Sequence, residues 1–138
     1  MKVRQIRWTE ELLHTEIKHY NPAYEGGAQL SIENGVPIAV VLAGQKVDSL
    51  RAFEGVPLQA LDLSDTAVAD LSPLRGLPLR QLMLERTRVS DLSPLKGMKL
   101  EMFYASGAPV EDITALRGMP LTEVNLVGTK VKDLGGLS

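Results

Sequence analysis

Asp62 and Glu85 sit where two carboxylates could come side by side, and such a pair is the minimum equipment for general acid–base chemistry. The pair would need a cleft that drives the two pKa values apart, and a nucleophile or oxyanion-stabilising group to work with. The sequence supplies neither, so both read as solvated surface residues. Asp70, Asp91, Asp112 and Asp133 recur in a column that raises the question of calcium. Single aspartates so far apart lack the dense oxygen pattern of a calcium loop, and bonding loop N–H groups is their expected work. Arg75, Lys96 and Arg117 recur in the same way and read as a solvated ridge that could accept an acidic partner. His14 and His19 have no acidic or nucleophilic residue tied to them by spacing. With no cysteine in the chain, disulfides and cysteine-ligated zinc are excluded. We therefore expect no catalytic residue, no cofactor and no metal, and read the chain as a non-enzyme.

The elements that must position these residues follow from a 21-residue repeat. Leu58, Leu79, Leu100 and Leu121 open four blocks, each continuing with apolar residues in the same register. The first block runs Leu58, Leu61, Leu63, Val68, Leu71, Leu74, Leu77, and the second Leu79, Leu82, Leu84, Val89, Leu92, Leu95, Met98. An earlier, degenerate block shares the pattern through Val40, Leu42, Val47, Leu50, Phe53 and Val56, which makes about five coils. Self-similarity at a fixed period of this length is the mark of a solenoid. The segments around Leu61-Asp62-Leu63, Leu82-Met83-Leu84, Phe103-Tyr104-Ala105 and Val124-Asn125-Leu126 have the two-residue alternation of strands. Stacked coils set those strands side by side in a parallel sheet. Ser72-Pro73, Ser93-Pro94 and Thr114-Ala115 read as an N-cap followed by the first residue of a short helical turn, and Gly76, Gly97 and Gly118 end those turns. The predicted class is an α/β repeat solenoid, with the parallel sheet on the concave face and short helical turns on the convex face.

Residues 1–35 read as an N-terminal cap, and 36–138 as the solenoid. Thr9 is the expected N-cap of a helix over about 9–20, with Glu10 and Glu11 where the helix dipole favours negative charge. Trp8 and Leu13 have the spacing of a hydrophobic staple, and Leu13, Ile17 and Tyr20 recur at helical spacing. Asn21-Pro22 stops the helix. Ala28, Leu30 and Ile32 alternate with polar residues, and Asn34-Gly35 signals a hairpin into a second strand near 38–42. A formal net charge of −2 gives no electrostatic footprint for nucleic acid or membrane. With no signal-peptide core and no cysteine, a cytoplasmic location is expected. The length fits a small protein or one domain of a longer one.

The unit Leu-x-x-Leu-x-Leu-x-x-Thr-x-Val-x-Asp-Leu-Ser-Pro-Leu-x-Gly-Leu-Pro resembles a bacterial leucine-rich repeat, similar to the short repeats of the internalin type. The segment Asn21-Pro22-Ala23-Tyr24-Glu25-Gly26, then Ile32-Glu33-Asn34-Gly35-Val36, resembles what precedes the C-terminal repeats of planctomycete-type serine/threonine kinases. No kinase motif is present, so kinase activity does not carry over. The resemblance implies recognition of another protein through the concave face. The chain departs from the pattern at Phe103 and Ala105, at Ala108 where Thr66, Thr87 and Thr129 would place threonine, and at Leu134-Gly135-Gly136-Leu137, which lacks the serine-proline turn.

Alternation then nominates the surface. The residues between the buried positions fall into three rows: Ala39, Ala60, Gln81, Met102, Glu123; Val41, Asp62, Met83, Tyr104, Asn125; and Ala43, Ser64, Glu85, Ser106, Val127. Met83, Met102 and Tyr104 meet at the centre with Gln81, Glu85, Glu123 and Asn125 around them, the make-up of a protein-binding patch. The expected function is a non-catalytic protein-interaction or scaffold module. The alternative is a regulatory or targeting domain of a larger signalling enzyme such as a serine/threonine kinase. Val124, Leu126, Val131, Leu134 and Leu137 would leave apolar surface and a strand edge at the C-terminal end. Either an end-to-end homodimer or further coils would cover it.

Overall fold

Seven apolar positions per block can be buried together only if successive blocks lie in register. The computed structural model, which describes residues 6–132, has that arrangement. Its single sheet runs in the order β1 (Gln29–Glu33), β2 (Val36–Val41), β3 (Ala60–Asp62), β4 (Gln81–Met83), β5 (Met102–Tyr104), β6 (Glu123–Asn125). β1 and β2 form an antiparallel hairpin, and every later pair is parallel. Val40, Leu61, Leu82, Phe103 and Val124 stand in one column of the register, and the first four are at most 1% exposed. The ladder continues past the strands: the N–H groups of Leu42, Leu63, Leu84 and Ala105 donate to the carbonyls of Asp62, Met83, Tyr104 and Asn125 at 2.7–2.8 Å. Each coil thus satisfies its neighbour's backbone, which a lone three-residue strand could not do for itself.

On the return path, 3-10 turns stack at Arg51–Phe53, Ser72–Leu74, Ser93–Leu95 and Thr114–Leu116. Gly76, Gly97 and Gly118 follow with φ of 75°, 85° and 81°, a region that suits glycine. The capping chemistry differs from the sequence expectation. Ser72, Ser93 and Thr114 are the first residues of the turns and not their caps. Each donates its backbone N–H to an aspartate two residues back, Asp70, Asp91 or Asp112, at 2.8–2.9 Å. The two-residue reach is an Asx-turn, which the carboxylate closes more readily than a serine hydroxyl would. Thr66, Thr87 and Thr129 also gain a role: each hydroxyl donates to the carbonyl three residues back and accepts the N–H two residues on.

The N-terminal element is α1 (Glu10–Tyr20), capped by Thr9, whose hydroxyl accepts the Leu12 N–H at 3.1 Å. Trp8, Leu13 and Ile17 are buried in the same core as the coils. The second strand begins two residues earlier than the alternation suggested, because Asn34 and Gly35 both adopt positive φ. That is the two-residue hairpin geometry, so Glu33 pairs directly with Val36. His14 has a partner that its spacing in the sequence did not indicate. Its Nδ1 lies 2.7 Å from the hydroxyl of buried Tyr24, which itself accepts the Ala28 N–H. The Tyr24 hydrogen is therefore available to His14, and burial holds the phenol above its usual pKa, partly offset by the Ala28 bond.

One side chain ties α1 to the first coil. Asn21, 3% exposed, donates from Nδ2 to the carbonyls of Ile17 and Ser49 and accepts at Oδ1 from the N–H groups of Asp48 and Ser49, all at 2.9–3.1 Å. It uses its full hydrogen-bonding capacity across a separation of 28 residues. Asn21→Ala is expected to lower stability by about 2–4 kcal/mol, because it removes four hydrogen bonds and leaves the backbone groups of Asp48 and Ser49 without their partner in a part-buried position. Urea denaturation followed by circular dichroism measures this; a loss below about 0.5 kcal/mol would show that the tie contributes little.

Candidate protein-interaction face

The register assembles the nominated rows. Ala39, Ala60, Gln81, Met102 and Glu123 are successive partners, as are Val41, Asp62, Met83, Tyr104 and Asn125. The third row follows through hydrogen bonds from Gly44, Asp65, Arg86 and Gly107 to the carbonyls of Ser64, Glu85, Ser106 and Val127. Met83, Met102 and Tyr104 are half-buried on adjacent strands, so their outer surfaces face solvent together. Gln81 and Glu123 are exposed, and Glu85 and Asn125 half-exposed.

Local bonds set the geometry of this face. The Tyr104 hydroxyl donates to Glu123 Oε2 across the β5–β6 pair. This bond, then partial desolvation, then the charges of Glu123 and Glu85 hold the Tyr104 phenol above its usual pKa. Asn125 and Asp62 turn their side-chain oxygens back to the N–H groups of Val127 and Ser64, at 3.0 and 2.9 Å. The Asp62 carboxylate is thus engaged in its own turn.

At the rim, sequence reasoning missed an ion pair. Arg86 donates from Nε and one terminal nitrogen to the two oxygens of Asp65, at 2.6 and 2.9 Å. Both residues have left-handed backbones, φ 54° and 60°, at the position that Gly44, Gly107 and Gly128 occupy in other coils. A non-glycine residue there costs roughly 1–2 kcal/mol. The separation of 21 residues was the available signal, and Arg80–Glu101 repeats it at 3.3 Å.

The comparisons match this geometry. No protein-family model and no curated protein matches the chain. Among solved structures it is similar to internalin C2 of Listeria monocytogenes, with 28% identity, a TM-score of 0.69, and coverage of 71% of this chain and 45% of that one. It also matches the internalin InlF of the same organism at 21% identity and TM-score 0.64, over 90% of this chain and 45% of the other, a likeness of fold. Its fold is that of a bacterial leucine-rich repeat protein. The chain spans less than half the length of either internalin chain.

Within the leucine-rich repeat frame the remaining candidates find their places. Arg75, Lys96 and Arg117 are exposed on the turn side, away from the sheet face. A hollow of about 500 Å³ lies beside Lys96 and Arg117, lined also by Ser93, Thr114 and Ala115 among others. Ala115 is half-buried where Pro73 and Pro94 are buried. A second hollow, about 560 Å³, lies where Asn21 and Pro22 meet the loops of the first coils. Among the described residues no cluster of His, Cys, Asp and Glu could hold a metal, and no helix is long and apolar enough to cross a membrane. Val124, Leu126 and Val131 are half-buried, whereas Leu82, Leu84 and Val89 in the second block are fully buried. Val127 is 73% exposed. Leu134 and Leu137, like Asp133, lie outside the described residues.

The repeat aspartates make stability depend on pH. The N–H groups of Ser72, Ser93 and Thr114 hold the carboxyls of Asp70, Asp91 and Asp112 below the ordinary value of 3.8. A depressed folded-state pKa contributes stability above the unfolded value, and that contribution is lost as the pH falls through the folded value. Replacing all three by Asn keeps a side-chain oxygen but removes the titration. The wild type is expected to lose its advantage over this variant on acidification below about pH 4. Thermal melts at a series of pH values read the gap; a gap independent of pH would refute the assignment.

Proposed function

We propose that this leucine-rich repeat protein is a non-catalytic interaction module that binds another protein through the concave sheet face. The observation that carries the reading is the meeting of Met83, Met102 and Tyr104 on adjacent strands, inside the polar ring of Gln81, Glu85, Glu123 and Asn125. Methionines adapt to a partner's contours, and a tyrosine anchored at its hydroxyl gives a rigid contact at small entropic cost. The likeness to internalins supports an interaction role and not a reaction. A second reading, a regulatory or targeting domain of a larger signalling enzyme such as a serine/threonine kinase, is supported by the resemblance of the segment Asn21 to Val36, which runs from the end of α1 through β1 to the start of β2. Affinity capture with the wild type and with Met83→Lys/Tyr104→Lys tests the face. The variant is expected to lose the captured protein, and full retention of every wild-type interaction would overturn the proposal.

Self-association is a separate proposal, supported by the half-exposed Val124, Leu126 and Val131 and by the edge of β6. Two copies meeting at this end would cover both under a two-fold axis. Light scattering at high concentration is expected to give twice the mass of one chain, falling to one on Leu126→Asp. A single-chain mass for the wild type would remove the idea.

A further inference from the structure

Resting on the concave-face reading, we propose that the partner is a basic one: an extended segment that places a Lys or Arg side chain over Tyr104, between Glu85 and Glu123, with a neighbouring apolar side chain on Met83 and Met102. The three outward rows of the sheet contain the carboxylates Asp62, Glu85 and Glu123 and no Lys or Arg. The whole chain has a formal charge of −2, so these three account for more than its entire excess and the rest sums to +1. Negative charge is therefore concentrated on this face.

The cations nearest the rows leave that excess standing. Arg86 feels Glu85 and Asp62, but its guanidinium is held by both oxygens of Asp65. Arg80 is engaged with Glu101. Counting these two pairs with the three carboxylates still leaves a deficit of positive charge on the face.

Placement matters as much as sum. Glu85 belongs to the coil of β4, Tyr104 to β5 and Glu123 to β6. Glu85 and Glu123 are diagonal neighbours of Tyr104 in the register, one strand over on either side and two residues along, so a long side chain reaches the ring from both directions. Tyr104 responds to both charges, which places it in their shared field. A cation on the exposed face of the ring gains from the aromatic quadrupole and from a carboxylate on either side. An acidic or neutral segment would gain from the methionines only.

A displayed library of random peptides about eight residues long can cross the five parallel strands at about 3.3 Å per residue. It is panned on the immobilised chain at low ionic strength. Enriched peptides are expected to carry Lys or Arg beside an aliphatic or aromatic residue. A synthetic member is expected to bind about tenfold more weakly to Glu85→Gln/Glu123→Gln, which preserves size and hydrogen bonding, and to weaken as salt is raised. Panning on Glu85→Lys/Glu123→Lys is expected to reverse the charge preference. If peptides depend on Met83 and Tyr104, tested by Met83→Ala/Tyr104→Ala, yet show no basic bias, the basic-partner inference is overturned while the face stands as the binding site. If they are indifferent to both pairs of substitutions, the inference and the concave-face reading fall together.

Discussion

The structure depends on one constraint: each coil's backbone groups and apolar side chains are satisfied only by the coils on either side of it. The strands are three residues long, too short to be stable apart. Carbonyls of Asp62, Met83, Tyr104 and Asn125 accept from the preceding coil, and Leu61, Leu82 and Phe103 lose water only because an equivalent residue stands above and below. Exact repetition is therefore a physical requirement. A shift of one residue in any pair would turn the buried column outward and the outward rows inward.

The same constraint separates structure from recognition. Because the leucine columns and the 3-10 turns hold each coil in place, the residues between them are free to vary without unmaking the stack. The rows change from Ala39, Ala60 and Val41 near the hairpin to Met83, Met102, Tyr104 and Glu123 farther on. The small residues leave the first strands nearly bare, while the later ones carry bulk, an anchored ring and charge. The irregular coil of β5 shows the tolerance of this arrangement: Phe103 and Ala105 replace two leucines, and both remain fully buried.

The architecture was legible because a hydrophobic period reports which side chains must share an interior. The stacked parallel strands and the membership of the outward rows follow from it, while Thr9, Asn21-Pro22 and Asn34-Gly35 marked the helix and the hairpin. What the period does not encode is which polar group closes a given turn. Asp70 accepts the Ser72 N–H, and Ser72 stands as the first residue of the turn and not as its cap. Asn21 looked like a helix stop; its larger task depends on Ser49, 28 residues away, arriving at the correct distance. The Tyr104–Glu123 bond lies diagonally across two strands, at a separation of 19 that the repeat itself does not mark.

The even spacing of the coils also governs how the chain comes together. A new strand pairs with one about 21 residues earlier, and the helix–hairpin segment closes over separations of 27 and 28. The entropy of closing a loop grows only with the logarithm of its length, so these steps differ by well under about 0.5 kcal/mol. No single event must bring the two ends of the molecule together. Assembly can proceed as growth along an axis, each coil presenting the template for the next, with the helix–hairpin segment as a natural seed.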